Sequence, residues 1–304
     1  APNATATNAV NLLTNGGNTA ACGTTIVNKS SKPTWLIDVD FKPTPDTLIY
    51  AKWSRGYRQG GINFTNPGLE TWNPEKVEAY EIGSKLTFRG AVNGYFNIAG
   101  FYNDFSDQQI FGGLVAKEGS GIAGGAAIIN AGKSTIKGVE VDAGITLFNA
   151  LRLTAGYTYL DTKIKELVPP ALSANSPFKQ ILPRGSVGSA LTYSPKNRLT
   201  LAADYTIPLD ESVGELSFGA NYVYTDKQIV DGNNTIPSSN VVNLNASWKK
   251  VLGSTIDISA FATNVTNKVY FSTAGGGYDS LGVDDRLLAP PRMYGVRVKF
   301  NSGN

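Results

Sequence analysis

Glu140 and Asp142 lie two residues apart in Lys137-Gly-Val-Glu-Val-Asp142, and a pair of carboxylates on one strand face is the chain's nearest approach to an acid and base couple. The chemistry that would complete such a site is missing. There is no histidine anywhere, which removes Ser-His-Asp and Cys-His nucleophile systems and the common zinc sites together. Gly119-Ser-Gly-Ile-Ala-Gly124 has dinucleotide-binding spacing but sits in a glycine-rich loop, where a strand before it and a helix after it are required. Gly132-Lys-Ser-Thr135 ends like a phosphate-binding loop, yet Ala127 occupies the place of the first glycine and a strand follows. The expectation is therefore no catalytic residue, no metal site and no cofactor, with Glu140 and Asp142 lining a polar surface opposite Arg or Lys. Cys22, the single cysteine, is either a free thiol or half of a bridge whose other half lies outside this sequence.

The elements that carry these residues are strands. In 133–147, Val139, Val141, Ala143, Ile145 and Leu147 share one face, and Gly138, Glu140, Asp142, Gly144 and Thr146 share the other. After Phe148-Asn-Ala150 the pattern repeats, with Leu151, Leu153, Ala155, Tyr157 and Tyr159 opposed to Arg152, Thr154, Gly156 and Thr158. Two such arms joined by a few residues make an antiparallel hairpin. A soluble sandwich would finish its polar face with Lys and Glu, whereas this one is rich in Gly, Thr and Asp. The apolar row ends in paired tyrosines, which suits a strand whose outside touches lipid and whose tip reaches the headgroups.

Composition points the same way. Charged residues are 17% of the chain, below the roughly 25% of soluble domains. Gly at 33 residues and aromatics at 10% suit a barrel with small inward side chains. The net charge of +3 is spread with both signs mixed, so no basic block marks a nucleic-acid surface. No run of 18 apolar residues offers a transmembrane helix, and the first residues lack the basic start and apolar core of a signal peptide.

Read in order, 1–32 is a loop or lead segment and 33–304 a β-barrel portion. Eleven strands are expected, near 35–42, 47–60, 75–89, 91–110, 133–147, 151–161, 199–207, 216–224, 242–249, 256–263 and 294–300. Connections alternate between short ones, at 43, 90, 149, 211 and 252, and long ones, at 61, 111, 162, 227 and 267. That rhythm is the signature of tight periplasmic turns and long external loops. An odd count conflicts with the even number of a closed bacterial barrel. Either 185–193 is a twelfth strand, or the chain is part of a larger barrel. The second is preferred, because a twelfth strand there would break the short-long rhythm.

Six ordered blocks then resemble the barrel of TonB-dependent outer-membrane receptors. They are Tyr50-Ala-Lys-Trp-Ser-Arg-Gly-Tyr-Arg-Gln-Gly-Gly-Ile-Asn63, Pro74-Glu-Lys-Val-Glu-Ala-Tyr-Glu-Ile-Gly-Ser-Lys85, Phe101-Tyr-Asn-Asp-Phe-Ser-Asp-Gln-Gln109, Asn130-Ala-Gly-Lys133 with Gly138-Val-Glu140, Thr263-Asn-Val-Thr-Asn267, and Pro291-Arg-Met-Tyr-Gly295 with Phe300. The resemblance implies an all-β antiparallel transmembrane barrel, of which about eleven strands are present as the second half of a 22-stranded receptor barrel. It implies a bacterial outer-membrane location and active uptake of a scarce ligand: a siderophore, cobalamin, a carbohydrate or another organic nutrient. The implied partners are outer-membrane lipid, an N-terminal plug domain and a TonB complex, both belonging to the full-length parent, and the barrel-assembly machinery through the last strand and Phe300. Neither a plug nor a TonB box is seen in this sequence.

Site expectations follow from these readings. Asp38, Asp40, Lys85, Arg89, Glu140, Asp142, Asp204, Asp257, Arg297 and Lys299 are expected to face the lumen and the plug. Tyr157, Tyr159, Tyr222 and Tyr224 are expected to form a lipid-facing aromatic rim. The loop residues Tyr57, Arg58, Asn63, Phe64 and Trp72 are expected to contact ligand, because extended loops on a rigid frame carry recognition. Two other readings compete: a complete 12-stranded passive channel or adhesin, and a secreted soluble β-solenoid or sandwich binding module.

Overall fold

A computed structural model describes residues 26–301, apart from 65, 91, 231–233 and 276–282. Alternation of side chains has its expected result: consecutive long strands pair antiparallel in one meander. These are β1 (Trp35–Thr44), β2 (Thr47–Arg58), β5 (Glu75–Phe88), β6 (Asn93–Ala116), β7 (Gly125–Leu147), β8 (Leu151–Leu167), β10 (Asn197–Ile207), β11 (Glu215–Thr225), β14 (Ser239–Lys249), β15 (Ile256–Thr263) and β18 (Met293–Phe300). Between them lie short strands in the loops: β3 (Gly61–Ile62) with β4 (Thr71–Trp72), β9 (Phe178–Pro183), β12 (Gln228–Ile229) with β13 (Thr235–Ile236), and β16 (Phe271–Ala274) with β17 (Arg286–Leu288).

Pairing register keeps the two faces separate across the whole sheet. One row reads Val39, Ala51, Ile82, Gly100, Val139 and Tyr159; the adjacent row reads Asp40, Tyr50, Gly83, Ala99, Glu140, Thr158 and Arg198. Among the described residues the sheet is a single layer with no second layer behind it. Apolar side chains in its middle are accordingly open, Val39 at 65% and Ile82 at 63% exposure. From Leu151 to Tyr159 the apolar face of β8 runs about 26 Å along the strand, or about 19 Å along a membrane normal at ~45° tilt.

The twelfth strand weighed at 185–193 and set aside is absent: turns occupy those residues, with left-handed backbone at Gly185, Gly188 and Tyr193. Three details depart from the sequence reading. The additional strand is β9, a little earlier, and it pairs with β6 from Gly112 to Ala116. The reason is an edge: β6 continues well past the end of β5, and β9 takes up the backbone groups left there without a neighbour. The expected glycine-rich loop 111–130 is mostly strand, since β6 runs to Ala116 and β7 starts at Gly125. Adjacent small residues there, Gly112-Gly113 and Gly125-Ala-Ala127, hide the periodicity. Likewise β8 extends to Leu167, beyond its expected end at 161. The lead segment and Cys22 lie almost wholly outside the described residues.

Buried residues gather at the loop side. One cluster comprises Leu69, Leu114, Ala127, Ile129, Ala131, Phe178 and Ile181, and a second comprises Val230, Ile236 and Ala274. The molecule therefore keeps its only tightly packed apolar clusters, among the described residues, beyond the band where the open sheet lies.

Candidate functional site

Two loop-side caps and the polar face of the sheet are the places where side chains converge. In the first cap, the hairpin of β3 and β4 leans on the extensions of β6 and β7 and is fastened by amides. Asn63 donates from Nδ2 to the carbonyls of Leu69 (2.7 Å) and Ile128 (3.0 Å), and its Oδ1 accepts from the Ile128 N–H (3.1 Å). Asn66 Nδ2 donates to Ala126 O at 2.9 Å. Asn130 Oδ1 accepts from the Asn73 N–H (2.6 Å), while its Nδ2 donates to Asn73 O and Asp107 O, both at 2.8 Å. Gln109 Nε2 donates to Gln59 O (2.9 Å) and Asn73 O (3.0 Å). Each such bond satisfies a backbone group that a loop leaves without a ladder partner.

The five loop residues named from the sequence all belong to this cap but differ in what they do there. Arg58 pairs with the largely buried Glu75 at 2.9 Å, and Glu75 also accepts from the Gln109 N–H at 2.7 Å. Asn63 is buried, as its three bonds require. The half-buried Trp72 lays its indole over Gly61, where a Cβ would come within 2.3 Å of the ring. Tyr57 is partly open and Phe64 is 89% exposed, so these two present aromatic surface outward. Asn66, Asn73, Gln109 and Asn130 were missed by sequence reasoning. Gln109 and Asn130 stand at the ends of two of the blocks quoted above, which is a signal for them; for Asn66 and Asn73 the side-chain amide in a loop is the signal that marks them.

In the second cap Tyr193 donates its hydroxyl to Ala274 O at 2.6 Å, and the buried Asn234 donates from Nδ2 to Gly275 O at 2.7 Å. Arg286 stacks over Phe271 with its guanidinium carbon 5.5 Å from the ring centre. Below this cap Asn197 links two strands, accepting from the Tyr157 hydroxyl at 2.8 Å and donating to Asp226 at 3.0 Å. That donation holds the Asp226 carboxyl below the usual range.

On the polar face, Tyr50 donates to Glu81 at 2.8 Å, and Lys52 meets the same carboxylate at 3.0 Å. A hollow of ≈ 490 Å³ opens beside them, with Lys85, Glu140, Asp142 and Arg198 among its lining residues. Asp142 accepts from the Tyr95 hydroxyl at 3.2 Å. Register puts Asp38, Asp40, Lys85, Glu140, Asp142, Asp204, Asp257, Arg297 and Lys299 all on this one face. Arg89, one residue past β5, turns to Asp46 at 2.7 Å. Glu140 and Asp142 are the same-face neighbours the sequence implied; the basic groups around them are Lys85 and Arg198.

The opposite face carries Tyr157, Tyr159, Tyr222 and Tyr224 in its rows, with Trp35, Trp53, Tyr80 and Tyr102 continuing the aromatic line. Trp35 and Trp53 meet edge-on at 5.5 Å, Trp53 and Tyr80 stack at 6.2 Å, and Tyr80 and Tyr102 lie 6.5 Å apart. Arg55 sits over the Trp35 ring at 3.8 Å and is bonded to Glu78.

A meander with one apolar and one polar face, an aromatic line at the loop side and short turns opposite defines a barrel-type sheet of outer-membrane proteins. Residues 8–285 match the family described as TonB dependent receptor-like, beta-barrel, and the chain belongs to that family. It is 24% identical over 263 residues to the probable TonB-dependent siderophore receptor PiuA of Acinetobacter baumannii, covering 84% of this chain and 33% of that protein. Among solved structures, the ferric yersiniabactin uptake receptor FyuA of Yersinia pestis superposes with a TM-score of 0.67 at 17% identity, covering 87% of this chain and 36% of FyuA. The siderophore receptor PiuA of A. baumannii superposes at 0.66 with 20% identity, covering 87% of this chain and 35% of PiuA. The chain thus spans about a third of the length of these relatives. At such identities the structural likeness establishes the fold, which is that of TonB-dependent receptor barrels.

Proposed function

We propose that this chain is the C-terminal arc of an outer-membrane barrel whose parent receptor imports a chelated metal, a ferric siderophore first among candidates, by TonB-coupled transport. The carrying observation is the division of all eleven strands into one apolar and one polar face, with β1 and β18 each paired on one side only among the described residues. In lipid an unpaired strand edge leaves backbone groups unsatisfied at several kcal/mol each, so the arc continues into further strands of the parent. The apolar face then meets acyl chains, the charged residues of the polar face, Asp38, Lys85, Glu140, Asp204 and Arg297 among them, meet the lumen and a plug domain of the parent, and β18 with Phe300 engages barrel assembly. Siderophore cargo is favoured by PiuA and FyuA. Two features weigh against a complete 12-stranded channel: β9 stands outside the meander, and β1 does not pair with β18. A soluble module is disfavoured by an apolar face on which no described residue forms a second layer.

Within this reading the open aromatic surface of Tyr57 and Phe64 presents the cargo contact, while Arg58, Asn63 and Trp72 hold the cap in shape. The test is uptake of radioiron by cells expressing the full-length parent, supplied with ferric catecholate, hydroxamate and mixed siderophores. Uptake of at least one that stops when a protonophore is added supports the proposal. Uptake that is unaffected by the protonophore indicates a passive channel, and recovery of the receptor in the soluble fraction removes the membrane assignment.

A further inference from the structure

The segment between β8 and β10 belongs to both caps. Its start is built into the first: Leu172, Phe178 and Ile181 pack with Leu69 and Ile129, and β9 takes the free edge of β6. Lys117, just past β6, donates its N–H to Pro177 O (2.7 Å) and its ammonium to Ala174 O (2.9 Å). The end of the segment is built into the second cap. Tyr193 donates its backbone N–H to Ile229 O in β12 at 2.9 Å and its hydroxyl to Ala274 O in β16 at 2.6 Å, closing on both hairpins there.

Between these ends the chain is tethered at short intervals. The N–H groups of Arg184, Gly188 and Leu191 donate to Phe111 O (3.0 Å), Ile164 O (2.8 Å) and Thr162 Oγ1 (3.0 Å), and Ser189 O accepts from the Ile164 N–H at 2.9 Å. The bend that lays the chain on β8 uses left-handed backbone at Gly185 and Gly188, and a Cβ on residue 185 would stand 2.7 Å from Ile164 Cδ1. Tyr193 takes the same left-handed region, at φ 53°, with a side chain that disfavours it. Backbone of that kind persists where surrounding contacts over-determine it. Here the contacts are the two bonds into the second cap.

We infer that 168–193 is a strap that makes the two caps move together, with Tyr193 as its latch. A displacement of the first cap travels along β9 and the tethers on β8 to the hairpins of the second. A loop with free residues between its ends would absorb such a displacement, because every unbonded residue adds two soft dihedrals. This segment, bonded at Arg184, Gly188, Leu191 and Tyr193, passes it on. Under the transport function proposed above, on which only this consequence rests, cargo contact at Tyr57 and Phe64 is felt at the second cap.

The experiment is a double-mutant cycle on the full-length parent receptor in detergent. It is read by hydrogen exchange at the Gly275 amide, which donates to Asp285 O at 2.9 Å in the second cap. Phe178→Ala, which takes a side chain from the first cluster and none from the second, is expected to speed that exchange about fivefold or more. Tyr193→Phe, which removes only the hydroxyl tie, is expected to speed it as well. Adding Phe178→Ala to Tyr193→Phe is then expected to bring a further increase of less than about twofold. A wild-type rate at Gly275 in Phe178→Ala, or two effects that multiply in full, overturns the strap. Unchanged exchange in β10 and β11 and heat-dependent migration in gels show that the barrel itself stays folded. Ile181→Val, a smaller loss in the same cluster, replaces Phe178→Ala if that variant does not fold, and is held to the same outcomes. Since the readout needs neither cargo nor an energy source, failure of the transport function leaves this result standing, and failure of the strap leaves transport untouched.

Discussion

The phenol of Tyr50 lies flat against the bare backbone of Gly83, so near that a Cβ on residue 83 would stand 2.6 Å from the ring carbon and hydroxyl. From that position Tyr50 reaches Glu81, and Glu81 reaches Lys52. Gly83→Ala is expected to push the ring out and break both contacts, at a cost of about 1–3 kcal/mol as for overpacking. Urea unfolding of the detergent-folded receptor measures it. A variant with wild-type stability would show that the ring moves aside freely.

Leu201 and Ala202 are neighbours in β10 that point to opposite faces. Arginine at a lipid-facing midplane position costs roughly 2–4 kcal/mol, and far less in a polar lumen. Leu201→Arg should therefore impair folding into vesicles while Ala202→Arg should not. The reverse order would turn the sheet inside out and refute the proposed orientation.

Asn63 joins the β3–β4 hairpin to β7 through three hydrogen bonds. Asn63→Ala strands buried groups on Leu69 and Ile128, a loss of about 1–3 kcal/mol. Hydrogen exchange at the Ile128 amide should accelerate by roughly 5- to 150-fold in consequence. The strand amides of β10 and β11 should keep their protection, since the loss is local to the first cap.

Phe148 and Asn149 both hold left-handed backbone, at φ 54° and 53°, in the turn between β7 and β8. Asparagine tolerates that region and phenylalanine does not, and the Phe148 side chain, 88% exposed, recovers little by packing. Phe148→Asn is expected to raise stability by about 1 kcal/mol, read as a later unfolding midpoint. An unchanged or earlier midpoint would mean the phenyl ring has a contact of its own in the assembled membrane protein.

Asp226, just past β11, has its carboxyl held below the usual range, first by the Asn197 amide and also by the Lys227 backbone N–H. A depressed folded-state value contributes stability that is complete above the unfolded value, ~3.9, and is lost as pH falls through the folded one. Between pH 7 and 5 this contribution should be flat, and below about pH 4 the wild type should lose ground to Asp226→Asn. Unfolding midpoints of the two across that range check it; parallel curves would show that the carboxylate contributes nothing.

Strand existence and facing were legible because a period of two leaves a direct trace: Val139, Val141 and Ala143 against Glu140 and Asp142 can be read from residue types alone. The family blocks were legible for the same reason, since they are local runs of residue types. Where side chains carry no contrast, the trace fades. Gly125-Ala-Ala-Ile-Ile-Asn130 has no contrast between successive side chains, so the outer part of β7 reads as loop, and β9 falls inside an expected long loop. Nor can a local pattern show that β9 crosses over to pair with β6, because that pairing is set by an edge whose vacancy depends on where β5 begins.

The sequence by itself determined the class of the sheet, its two faces and its short-long rhythm, since these depend on each residue and its immediate neighbours. Only the tertiary structure decided which loop amides bind which strand, that Asn63 is buried while Phe64 stands open, and that Tyr193 closes on both hairpins of the second cap. Those outcomes depend on groups distant in the chain meeting across strands, where register and chain crossing, not residue type, bring them together.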